Sequence, residues 1–133
     1  MIRKIVSVSL SITGLLFFAG SVSAHHGGAV YDETETITVI GAVTKFLFIN
    51  PHVLIYIAVT EENGDTVEWS GELTTPIRLA RMDRAGAPPW SKDILQPGDQ
   101  ITLSGNPARS GAPSLRLRRV VDSHGVALIG GAN

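Results

Sequence analysis

Two of the four histidines, His25 and His26, stand side by side. They follow an apolar stretch, Ile5 to Gly20, and the small residues Val22-Ser23-Ala24. A cut after Ala24 would make His25 the first residue and free its α-amine. That amine titrates near 7.7–8.0 and an imidazole near 6.5, so both offer nitrogen lone pairs close to neutrality. An N-terminal His chelates a metal through its amine and Nδ1, and a second imidazole completes a T-shaped set. Cu(II) favours such tetragonal nitrogen ligands. His26 is adjacent, and His52 is a candidate third imidazole from elsewhere in the fold. The plainer reading of the pair is a solvated, Gly-rich start to the chain.

Other candidates are fewer. Tyr31-Asp32 lies just downstream of the histidines and is suited to capping the barrel entrance or to orienting an imidazole through a carboxylate. Asn50 precedes Pro51-His52, and Arg109 lies in the loop NPARSGAPS. Motifs for covalent catalysis are missing. There is no Cys, and Ser70 in WSG does not form a G-x-S-x-G elbow. Glu68 and Glu72 share one strand face but sit four residues apart, about 13 Å. Glycosidase carboxylate pairs lie about 5–9.5 Å apart. The enzyme that remains conceivable is a copper redox enzyme resting on His25, and an enzyme is the less favoured reading.

The first 24 residues have the form of an export signal: Arg3-Lys4, an apolar core around Leu15-Leu16-Phe17-Phe18, then Val-Ser-Ala. The core is interrupted by Ser7, Ser9, Ser11 and Gly14, and is short beside the ~20 apolar residues of a spanning helix. The expectation is cleavage after Ala24, a periplasmic or secreted protein, and no stable membrane span afterwards. With no Cys there is no lipoprotein anchor, disulfide or thiolate metal site.

Removing 24 of 133 residues leaves a single domain at 25–133, with nine basic and twelve acidic residues and a formal charge of −3. Nucleic-acid binders are commonly basic, so that partner class is disfavoured. The pattern is mostly period two. Residues 36–48 are β-branched and aromatic around Gly41, residues 52–60 alternate, and residues 66–73 follow the hairpin sequence EENGD. Thr75-Pro76 then opens a short helix over 76–84. Strands over 100–105 and 115–121 complete the set, with a short apolar tail. Three strands, a helix and two strands is the order of a five-stranded OB-like Greek-key barrel, an all-β fold with one helix between strands three and four. Trp69, Val67, Ile55, Ile57, Ile101, Leu103 and Leu117 are expected in its core, with Trp69 as the anchor. Arg116 and Arg118 are placed on one face and Arg119 on the other, as a charged strand edge that blocks strand addition.

The order His25-His26, Tyr31-Asp32, Gly41 with Val43, Asn50-Pro51-His52, Val67-Glu68-Trp69 and Leu95-Gln96-Pro97-Gly98-Asp99 resembles the small exported bacterial proteins grouped as DUF6152. The resemblance covers nearly all of residues 25–128. Members commonly show His-His-Ser near the start and Gly-Trp after the helix, where this chain has His25-His26-Gly27 and Pro89-Trp90. The resemblance implies export and a compact β-rich domain, and it implies no activity. Three functions follow from the residues. One is a binding module taking a transition metal, copper, through His25, His26 and His52. The second is a metal-free OB-type module for an oligosaccharide, a small ligand or another envelope protein. The third is the copper redox enzyme. In an OB barrel the binding surface is the face of strands two and three with the loops that follow strands one and four, which here carry Asn50, His52 and Arg109.

Overall fold

β-Branched and aromatic residues alternating with polar ones build six strands in the computed structural model, which describes residues 30–82 and 88–130. In chain order these are β1 (Ile37–Leu47), β2 (Leu54–Thr60), β3 (Thr66–Glu72), the helix α1 (Pro76–Ala80), β4 (Gln100–Pro107), β5 (Ser114–Val121) and β6 (Ala127–Ile129). β1 pairs antiparallel with β2 and β4, β2 with β3, and β4 with β5. A parallel ladder of three residue pairs, Ser70–Glu72 on Ser114–Arg116, joins β3 to β5 and closes the ring. The expected five-stranded barrel is therefore present, in the order β1-β2-β3-β5-β4.

Gly41 makes the closure possible. β1 faces β4 over residues 37–42 and β2 over 42–47, so it serves both halves of the barrel. A Cβ at Gly41 would stand 2.3 Å from the Ala58 carbonyl oxygen, so the approach of β2 admits no side chain there. The hairpin after β2 turns as EENGD predicts, with Gly64 at φ +89° and the Gly64 N–H donating to the Glu61 carbonyl at 2.9 Å.

Val53, Ile55, Ile57, Leu103, Leu115 and Val120 are fully buried in the barrel. Leu79 of α1, with Trp90 and Leu95 of the connector, packs into the same cluster. Trp90, rather than Trp69, is the buried tryptophan, at 2% exposure. Its indole N–H donates to the Leu128 carbonyl at 2.9 Å, and its ring lies 6.2 Å from that of Phe46. Trp69 and Val67 are only half-buried. The β3–β5 ladder begins at Ser70, so β5 does not flank them on that side.

Four expectations shift. Helix α1 ends at Ala80, with Arg81 as its cap and residues 83–87 outside the described chain. β4 runs on to Pro107, because Asn106 and Pro107 pair with Arg116 and Leu115. The apolar tail forms β6 on β5, beyond a turn closed by the Asp122 carboxylate. Finally, a register shift of β5 against β4 leaves Arg118 unmatched between Leu117 and Arg119. Alternation restarts there, so Val120 takes the inward position and Arg119 does not oppose its neighbours across the strand.

Candidate functional site at the barrel seam

β4 runs along one edge of β5, so β3 and β6 must share the other. β3 covers Ser114–Arg116 and β6 covers Val120–Val121. Between them the chain of β3 turns away into α1, and the seam opens into a pocket of about 600 Å³. Leu73 and Thr74, Leu117 and Ile129 form its walls, and His52, Glu72, Tyr31, Arg78, Arg116 and Arg118 supply its polar groups. Arg116 and Arg118 thus line a cleft and do not guard a free sheet edge. Gly71 is held at the base of the seam, since a Cβ there would meet Leu117 Cδ1 at 2.6 Å.

Glu72 organises the polar side. The β2–β3 register sets it opposite Leu54, on the face that His52 shares two residues away. One carboxylate oxygen takes the His52 Nδ1 contact, and the other accepts the Tyr31 hydroxyl at 3.1 Å. The Tyr31 oxygen also lies 3.3 Å from Ser114 Oγ, to which Ser70 Oγ donates at 3.0 Å. Burial pushes the Tyr31 phenol above its ordinary value; the Ser114 contact offsets this in part, and the nearby Glu72 charge adds to it. Tyr31 is brought here by its own backbone: it bridges to Ala108, with the Asp32 N–H on the Pro107 carbonyl and the Arg109 N–H on the Val30 carbonyl.

The pocket is rich in guanidinium groups. Arg116 and Arg118 approach the same oxygen of Glu33, at 3.1 and 4.0 Å, and Arg118 also donates to Asn106 Oδ1 at 2.8 Å. Arg78, exposed on α1, pairs with no carboxylate among the described residues.

The structure brings His52 and Tyr31 together. Asp32 and Arg109 instead pair with each other at 3.4 Å, away from the pocket lining. The Thr34 hydroxyl and N–H, with Arg109 a lesser influence, hold the Asp32 carboxyl below its ordinary value. Asn50 sits in the exposed turn before Pro51, joined to it by a cis peptide bond. His25 and His26 lie outside the described residues. Among the described residues no three His, Asp or Glu side chains cluster as a metal site. Ser70 and Ser114 bond each other, and Ser114 also meets the Tyr31 hydroxyl; among the described residues neither is hydrogen-bonded to His52.

Glu72 was legible in principle. The EENGD turn sets Thr60 opposite Thr66, and counting outward sets Leu54 opposite Glu72, beside His52. Arg78 and the β5 arginines had no such signal, because their meeting depends on the long connector between β3 and β4.

No helix among the described residues is long and apolar enough to cross a membrane. A search of curated proteins finds no match. A family match spans residues 14–115, from the apolar N-terminal stretch through β4 to the start of β5, and so takes in Tyr31, His52, Glu72 and Arg78. On that match the chain belongs to DUF6152, a family of unknown function.

Proposed function

We propose that the protein is an exported, non-enzymatic binding module that takes a small ligand or a short oligosaccharide in the seam pocket. The observation that carries this reading is the convergence of six titratable side chains on one cleft of about 600 Å³, with Leu73, Leu117 and Ile129 as its apolar part. Ligand sites combine those features: concavity, apolar lining and a few oriented polar groups. Export rests on Arg3-Lys4, the apolar stretch and Val22-Ser23-Ala24. Sequencing the N-terminus of protein recovered from the producing cell tests it, with His25 expected first.

An amide NMR titration with a panel of neutral and acidic saccharides tests the pocket. Shifts gathered on His52, Thr74, Leu117 and Ile129, lost in His52→Ala, support it. Shifts confined to the 108–113 loop, or none with any of the panel, refute it.

One observation favours the copper reading as a second possibility. His52 turns Nδ1 toward Glu72 and leaves Nε2 without a hydrogen bond among the described residues, the arrangement of a metal-ligating imidazole braced by a carboxylate. Tyr31, five residues after His26, is bonded to the same carboxylate. Five residues span up to about 17 Å, enough to bring His25 and His26 toward His52. Under this reading Glu72→Ala weakens Cu(II) binding about 10–100-fold. One residue added before His25 weakens it sharply, and affinity falls below about pH 6 as imidazole and amine take up protons. Equal, weak binding in all variants refutes it.

A further inference from the structure

The pocket carries charges of both signs. Glu72, already engaged by His52 and Tyr31, presents acceptor oxygens. Arg116 is its neighbour across the β3–β5 ladder, and Arg118 on β5 and Arg78 on α1 bring the guanidinium groups on the lining to three. The carboxylate drawn to the β5 pair is that of Glu33, on the turn following Tyr31, and its side chain is 52% exposed. A side chain so exposed is held weakly and can be displaced. Arg78 has no carboxylate to neutralise it among the described residues.

Guanidinium groups bind oxyanions in a fixed, bidentate geometry. Three of them lining one cleft offer an oxyanion more than a solvated charge run does. Resting on the pocket reading above, we propose that the ligand is a small hydroxylated anion. Its carboxylate or phosphate sits among Arg78, Arg116 and Arg118, displacing Glu33, and its hydroxyl groups donate to Glu72. Glu72 repels an oxyanion and accepts from a hydroxyl, so the oxyanion leans toward Arg118 and Arg78, with Arg116 lying between them and Glu72 in this placement. A polyanion is a poorer fit, since the predicted mature chain carries a formal charge of −3.

The test is calorimetry and amide NMR on the protein as processed by the cell, with three probes: glucuronate, inorganic phosphate and glucose. Glucuronate or phosphate should shift the amides of Thr74, Leu117 and Ile129, with affinity falling as salt rises. Which of the two binds more tightly identifies the oxyanion. Arg78→Gln should weaken binding about tenfold, the loss of one charge-assisted contact. Glu33→Ala should strengthen it several-fold by freeing the β5 arginines. A gain of affinity does not come from a protein that has merely failed to fold. Glucose binding the pocket as well as glucuronate overturns the anion proposal and leaves the pocket reading standing. Affinities unchanged in both variants also overturn it. No pocket shifts with any probe overturn both.

Discussion

Replacing Trp90 tests whether the connector is a structural part of the barrel. The side chain is 2% exposed, its ring lies tilted 6.2 Å from that of Phe46, and it donates to the Leu128 carbonyl at 2.9 Å. Trp90→Ala deletes a fully buried aromatic and leaves a cavity, which costs about 3–5 kcal/mol. Against a total stability of about 5–15 kcal/mol that is a large fraction. Each kcal/mol lowers Tm by about 4–8 °C in a domain of this size, so a drop of at least about 12 °C is expected. Trp90→Phe keeps a ring against Phe46 but takes the indole N–H from the buried Leu128 carbonyl, for about 1–3 kcal/mol plus a smaller packing loss. The consequence reaches the pocket, because Leu128 and the pocket-lining Ile129 are neighbours in β6. Hydrogen exchange should therefore speed up first in β6 and only later in β2. Trp69→Ala should cost clearly less, since Trp69 is half-buried. Urea unfolding of the three variants, followed by circular dichroism, decides the matter. A Trp69→Ala loss equal to or above that of Trp90→Ala refutes the reasoning.

Gly71→Ala forces a Cβ to within 2.6–3.0 Å of the Leu117 side chain and should cost about 1–3 kcal/mol while narrowing the pocket floor; unfolding midpoints check it, and a neutral result would show that Leu117 moves aside freely. Thr34→Ala should raise the Asp32 titration toward its ordinary value, read by carboxyl NMR, because Thr34 is the main cause of the lowering. Since the folded value is depressed, Asp32 contributes stability above the ordinary 3.8 that is lost as pH falls through the lower folded value, and Thr34→Ala should reduce that pH dependence, leaving the share due to the backbone N–H of residue 34 and to Arg109. Tyr31 carries the opposite sign: its raised value means a contribution intact below the ordinary 10.0 and lost as pH rises through the folded value. Phenolate absorbance, assigned with Tyr31→Phe, should show one of the two tyrosines ionising late.

The barrel was readable from one sequence because its determinants are local. Period-two alternation in residues 53–59, the Asn63-Gly64 turn and the glycine at position 41 each act over a few residues, and strand order followed from them. The helix start was equally local, with Thr75 accepting from the Arg78 N–H and Pro76 next to it. Tertiary structure decided what the chain does not encode nearby. Trp69 and Trp90 look alike as residues, and only the limited reach of the β3–β5 ladder leaves one half-buried while the other is buried from the connector. The alternation rule failed at Arg118 because a register shift needs a partner strand to define it. His52 and Tyr31 were picked out by residue type, but their shared partner Glu72 comes from across the hairpin. Arg78 and the β5 arginines come from elements separated by the connector and β4. A barrel seam forms only when the chain's third and fifth strands meet, and that long-range closure assembles the pocket.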